Sequence, residues 1–387
     1  MAEIKEIRNA MRKKKRNRTA RRICIVVILL ALVVAIIVNR DNLTPDAISN
    51  WLSGSLSAEG SEEGFPVNLP SGETVSLMGV SENVALTTQT NVYFYSPRGR
   101  EIRSLQHSCK TVQTKAGGDN LLLYSVGGNK ILVETKSKNM VSAETENKII
   151  TGEISRNGRF AIATESDVYT SEMTVYDKAG NAVFKWTPSG SVITSLALSE
   201  DGRRVAAATV FTEGGVLMTG VHLFETGKSE ALFSYRLKDE IAVSLEVNKN
   251  SVRVISSSAV TDISEKGELL QSLSFGGKKL KCKTECDGNS VLVFEDVNDP
   301  SKSTIEIVNN KTVVKAQASV SKAVLSVASD GKDIYAIADD EIMKFSSNTA
   351  VKTGSLAVEH GAERLAASSA GAFVINSASE LLRPELD

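Results

Sequence analysis

A hairpin of one design recurs eight times across residues 65–387, and no other feature of the chain constrains its fold as strongly. The clearest copies are ITSLALSEDGRRVAAAT (Ile193 to Thr209), ITGEISRNGRFAIAT (Ile150 to Thr164) and LSVASDGKDIYAIAD (Leu325 to Asp339). Each reads as an apolar alternating run, a turn built from Ser, Asn, Asp and Gly, and a second apolar run. Weaker copies turn at Asn83, Asn120, Ser251, Gly288 and Gly371; with Gly158, Gly202 and Gly331 the eight turns are spaced by 37 to 49 residues. The third position after each turn residue is apolar in all eight copies: Leu86, Leu123, Ala161, Val205, Val254, Val291, Ile334 and Val374. Self-similarity at such a period marks a repeat architecture, in which no unit can bury its apolar faces alone.

A second hairpin follows the first, as in VYFYSPRGREIRSL (Val92 to Leu105), TVYDKAGNAVFKW (Thr174 to Trp186), HLFETGKSEALFSY (His222 to Tyr235) and VTDISEKGELLQSL (Val260 to Leu273). Four short strands in about 40 residues is the size of one β-propeller blade. The expected fold is therefore all-β, a propeller of eight four-stranded blades, or seven if one weak copy is not a blade. The last copy, RLAASSAGAFVINSASELLR, supplies only three strands, so FPVNLPSG (Phe65 to Gly72) is expected to complete it from the other end of the repeat.

Charge separates the amino terminus from this region. Residues 1–22 hold ten Lys/Arg against two acidic residues, which leaves 35 basic and 44 acidic residues in the remainder. Ile23 to Val38 then runs ICIVVILLALVVAIIV without a charged or strongly polar side chain. Sixteen helical residues reach about 24 Å, slightly short of the hydrocarbon core, and flanking arginines can snorkel to close the gap. No small-x-small site follows, so the segment reads as an uncleaved anchor rather than a cleaved signal peptide. The basic excess before it places residues 1–22 in the cytoplasm and everything beyond Arg40 outside. It has a simpler use there than nucleic-acid binding. Thr44-Pro45-Asp46 is a helix start, with Ala47, Ile48, Trp51 and Leu52 on one face, and Gly54 to Gly64 reads as a flexible spacer. The expected organisation is a basic tail (1–22), a transmembrane helix (23–38), a short helix and linker (39–64) and the propeller (65–387), in single-pass contact with the bilayer.

Recognisable chemistry is sparse. His107, His222 and His360 fall in different repeats, and no nucleophile elbow, zinc-protease helix, phosphate loop or dinucleotide fingerprint occurs. Asp296, Asn298 and Asp299 lack the glycine and distal glutamate of a calcium loop, and Asp, Asn and Pro are ordinary turn residues. Cys24 lies in the apolar span and Cys109 stands alone. Cys282 and Cys286 on one extended strand would sit about 13 Å apart, beyond disulfide reach. No catalytic, cofactor or metal residue is assigned. The pattern D-x-x-G-x-x-x-x-x-W from Asp177 to Trp186 is similar to quinone-dependent dehydrogenase repeats, but tryptophan occurs only at Trp51 and Trp186, which supports the fold and argues against the cofactor.

TPDAISNW (Thr44 to Trp51), GFPVNLP (Gly64 to Pro70), RSLQH (Arg103 to His107) and LLLYSVGGN (Leu121 to Asn129) resemble a bacterial family of single-span membrane proteins that carry a WD40-like propeller of unknown function outside the cell. The resemblance implies an extracytoplasmic, Gram-positive-type setting and transfers no functional residue. The leading expectation is a non-catalytic binding or scaffold module for a protein or a cell-envelope partner. The alternative is an extracytoplasmic hydrolase or lyase, its site assembled from several blades at the channel mouth.

Overall fold

The computed structural model describes residues 64–228 and 230–386. The apolar run Ile23–Val38, the short helix expected from Thr44 and Cys24 lie outside the described residues. Among those described, no helix is long and apolar enough to cross a membrane.

Eight four-stranded antiparallel sheets follow one another, all meanders of consecutive strands except the last. Their first strands are Thr74–Val80, Val112–Gly117, Ile149–Ile154, Val192–Leu198, Ala242–Val247, Lys279–Cys286, Ser326–Ser329 and Ala362–Ser368. These strands approach one another around the centre, and the fourth strands form the exposed rim, as in Leu269–Ser274 and Lys352–Ala357. This is the eight-bladed propeller that the repeat period implies.

Closure occurs where the unpaired N-terminal segment was expected to act. The strand Val67–Asn68 is the fourth strand of blade 8, antiparallel to Glu380–Leu382, with Val67 opposite Leu381 and Asn68 opposite Glu380. Phe65 packs against Phe373 of the same blade at 6.0 Å between ring centroids. The last sheet is thus stitched from both ends of the repeat region, and its third strand is covered by a fourth as in the other seven blades.

The core is divided into eight apolar clusters, one at each boundary between neighbouring blades. Second strands are sandwiched on both faces, which explains their near-continuous apolar sequence. All eight residues singled out by the repeat, from Leu86 to Val374, are fully buried.

Each inner strand begins on one face of the ring and ends on the other. The connector face carries the blade-to-blade connections and the loops between second and third strands. The turn face carries the tight turns between first and second and between third and fourth strands. At the turn Ser155-Arg156-Asn157-Gly158 the Ser155 hydroxyl donates to Asn157 Oδ1 at 2.6 Å and Gly158 adopts φ +88°, a conformation that glycine takes without a Cβ penalty.

Candidate functional site

On the turn face, the ends of the inner strands of blades 2 to 6 surround a cavity of about 840 Å³ at the mouth of the central channel. Its walls carry the charged side chains Glu153, Arg156, Glu200, Asp201, Arg204, Glu246, Lys249, Lys283 and Glu285. Lys115 of blade 2 meets Glu153 of blade 3 at 3.0 Å. Enclosure alone would lower the Lys115 pKa; the charge and hydrogen bond of Glu153 outweigh it, so the ammonium is held above its usual range. Arg156 and Glu200 form a looser pair at 3.8 Å, both largely exposed. Arg204 reaches into blade 5, donating to the carbonyls of Lys249 and Asn248 at 2.9 Å each and pairing with Glu265.

The charges of blades 5 and 6 are wired to a buried network. Arg253, 1% exposed, donates through Nε and Nη2 to the two carboxylate oxygens of Asp262 at 2.8 Å each, through Nη2 to the Asn309 carbonyl at 2.7 Å and through Nη1 to Ser290 Oγ at 3.0 Å. Thr312 donates to the same carboxylate. Ser290 Oγ passes the chain onward by donating to Glu246 Oε2 at 3.0 Å. Glu246 Oε1 is buried without a hydrogen bond, its nearest cation being Lys283 at 3.5 Å. Glu285 opens onto the same space. Loss of bulk hydration first, and the neighbouring Glu246 charge second, push its carboxyl above the usual range, while Lys283 offsets part of the effect.

None of these charges was singled out in the sequence. They lie in five different repeats, so no local motif joins them. Aligning the repeats on their turn residues would have displayed Lys115, Glu153, Glu246 and Lys283 as one column of charge, each five positions before the turn residue.

The connector face differs. The hairpin Arg204–Glu213 and Val216–Glu225 of blade 4 has ten residues in each strand, against five to seven in most blades, and turns at Gly214 and Gly215. Near its tip Arg236 pairs with Glu213 at 2.9 Å and lies over the Phe211 ring at 5.5 Å. The same face exposes Val168 (83%) and Tyr169 of blade 3, Ile241 and Val243 (54%) where blade 4 passes into blade 5, and Val297 (72%) of blade 6. A smaller cavity, about 290 Å³, opens between blades 5 and 6 beside Val243, Leu280 and Cys282. The loops of this face also carry acidic side chains, among them Asp167, Asp239, Asp296, Asp339 and Asp340, the last paired with Lys322 at 2.7 Å, while Lys279, Lys281 and Lys283 line the cavity.

The three histidines remain apart. His107 is buried, bonded through Nε2 to the Thr88 carbonyl at 3.0 Å and through Nδ1 to the Cys109 amide at 3.3 Å. His222, in blade 4, contacts Ser234 Oγ at 2.8 Å and Thr209 Oγ1 at 3.3 Å and lies against Trp186 with the two rings tilted at 47°. Burial, then the charge of Arg236, lower its pKa to about 4. His360 occupies an exposed turn with φ +67°. Asp296 Oδ1 accepts the amides of Asn298 and Asp299, and Asp299 pairs with Lys302 at 2.9 Å, so these acids serve their own loop. No group of three His, Cys, Asp or Glu side chains is placed to hold a metal among the described residues. Cys282 and Cys286 share the strand Lys279–Cys286 as free thiols. In the D-x-x-G segment, Asp177 Oδ1 accepts the amides of Ala179 and Asn181 at 2.9 Å, and Trp186 packs across the blade boundary on Phe224 at 4.7 Å.

Comparison with solved structures places the ring among WD40-like propellers. It is similar to the computationally designed Ika8 protein (13% identity, TM-score 0.60, covering 83% of this chain and 97% of that one). It is also similar to the C-terminal WD40 domain of Sif2 (11%, 0.58, 83% and 99%) and to BamB from Moraxella catarrhalis (10%, 0.53, 82% and 98%). At such identities the likeness concerns the fold alone. Comparison with curated proteins gives no match. One family profile, described as a family of unknown function (DUF5711), matches residues 67–356.

Proposed function

The chain belongs to DUF5711, a family of unknown function, and from that premise we propose that it is a membrane-anchored, extracytoplasmic binding module whose connector face captures a protein partner. The observation that carries this reading is that one face combines the long blade 4 hairpin with exposed Val168, Tyr169, Ile241, Val243 and Val297, contributed by blades 3 to 6. Apolar side chains concentrated beside an otherwise polar face mark an interaction surface. The surrounding carboxylates suit a partner segment that combines apolar with basic side chains. Anchoring rests on the apolar run Ile23–Val38 and the basic residues before it.

A photo-cross-linking residue placed at Tyr169 or Val297 of the full chain should join one protein species in the cells that make it. The pair Ile241→Asp and Val243→Asp should abolish that product without loss of folded protein. Protease added to intact cells should remove the propeller and leave a small membrane-bound stub; a mature protein that is soluble and begins beyond Val38 sinks the anchoring half of the reading.

The second reading, an enzyme at the channel mouth, is favoured by one observation, the raised carboxyl of Glu285 beside Glu246. A purified chain that turned over an envelope glycan or peptide, and lost the activity on Glu285→Gln, would replace the binding module with this alternative.

A further inference from the structure

We propose that the turn face of the propeller lies against an anionic membrane surface, held there by basic side chains at the tips of its outer turns. The inference rests on the reading that residues 23–38 anchor the chain.

The first observation is where the described chain begins. Val67–Asn68 is antiparallel to a third strand, so it runs as a fourth strand, from the turn face toward the connector face. Gly64 accordingly lies on the turn face. It lines one cavity with Tyr95, Gly99 and Glu101, beside the Pro97–Arg100 turn of blade 1. Arg383 of blade 8 closes the same corner by donating to the Pro97 carbonyl at 3.0 Å. Any tether from a preceding anchor therefore reaches the ring on this face.

The second observation is independent of the first. The turns between third and fourth strands of six consecutive blades each present an exposed basic side chain: Arg98, Lys138, Lys178, Lys228, Lys266 and Lys311. Lys228 pairs with Glu225 at 2.7 Å, whereas the other five form no ion pair among the described residues. These turns lie toward the rim, because third and fourth strands are the outer pair of each blade. Carboxylates of the same face sit in the inner turns near the channel, among them Glu200, Asp201, Asp287 and Asp330. They also occur in three outer turns, where Asp177 precedes Lys178, Glu225 and Glu230 lie beside Lys228, and Glu265 and Glu268 flank Lys266; the turns of Arg98, Lys138 and Lys311 contain no acidic residue. A ring of cations at the outer edge can touch a flat anionic surface while the inner carboxylates stay over the hollow of the channel. The acidic connector face would be repelled by the same surface, which fixes the orientation.

The test uses the full chain in vesicles, with lysine acetylation read residue by residue by mass spectrometry. In vesicles rich in phosphatidylglycerol at low salt, Lys138, Lys178, Lys266 and Lys311 should be labelled about five-fold or more slowly than in phosphatidylcholine vesicles. Connector-face Lys110 and Lys148 should be unchanged, and salt at about 0.5 M should erase the difference. Lys178→Gln with Lys311→Gln should weaken the protection at Lys138 and Lys266. Equal labelling in both lipids, protection of Lys110 and Lys148 instead, or protection by soluble polyphosphate but not by anionic vesicles would overturn the proposal. An alkaline carbonate wash reports separately on the anchor. Protein released by the wash refutes the anchor, and the labelling pattern with added anionic vesicles still decides the orientation.

Discussion

Arg253 and Asp262 face each other across neighbouring strands of blade 5 and are joined by two parallel hydrogen bonds of 2.8 Å, with the arginine side chain 1% exposed. A buried pair of this kind costs more to break than it contributes whole, because the remaining charge loses both water and partner. Asp262→Ala should lower stability by about 3–5 kcal/mol. Arg253→Met combined with Asp262→Leu should recover a large part of that loss. Denaturant midpoints of the two variants check the ordering, and equal losses would mean that the pair is not the dominant contribution.

Gly79, one residue before the end of the inner strand of blade 1, faces the closing blade, where an added Cβ would stand 1.9 Å from the Ala367 carbonyl oxygen. The obstacle is backbone and cannot rotate aside. Gly79→Ala is expected to cost at least the ~1–3 kcal/mol of ordinary overpacking and to speed hydrogen exchange in Gly371–Asn376. Deleting residues 65–72 should produce the same exchange signature in blade 8, by exposing the edge of Glu380–Leu382. An unchanged exchange profile there would contradict the Val67–Leu381 pairing.

His222 links stability to acid. Its folded pKa of about 4 lies below the ordinary 6.5, so the unfolded chain takes up a proton that the folded chain refuses. The contribution is complete above about pH 6.5 and is lost as pH falls toward 4, with a slope of at most about 1.4 kcal/mol per pH unit. His222→Gln should flatten the stability profile between pH 4 and 6.5 by that single proton, measured by urea unfolding at each pH. A parallel profile in wild type and variant would show that another group carries the acid response.

The described thiols should react slowly. Burial pushes Cys282 up to about 11 and raises Cys109 and Cys286 as well, and the thiolate is the reactive form. Labelling of the folded protein with a soluble disulfide reagent at pH 7.5 should be slow and should accelerate with pH; denaturation should release all thiols at once. Fast labelling at neutral pH would place Cys282 in a more open setting than its strand allows.

The repeat was legible because each blade must satisfy the same packing problem. Its period gave eight blades, and the missing fourth strand of the last copy pointed to the segment at Val67. Facing was less legible. Of the eight aligned positions, Leu86, Leu123, Val205, Val254, Ile334 and Val374 pack toward the preceding blade, whereas Ala161 and Val291 pack toward the following one. A strand buried on both faces is apolar at every position, so a slip of one residue leaves no trace in hydropathy. The channel charges stayed hidden for another reason. Lys115 and Glu153, or Glu246 and Lys283, meet only once the ring is formed, and nothing in either repeat alone distinguishes them from surface charge.

The seam in blade 8 also sets an order of events during synthesis. Val67–Asn68 leaves the ribosome near the start of the repeat region, and its partner Glu380–Leu382 leaves almost at the end. Seven sheets can form while the chain is still growing, but the first strand waits for the last. A message truncated just before the codon for Glu380 therefore yields an open arc in which Val67–Asn68 and Gly371–Asn376 are both left without the strand that joins them.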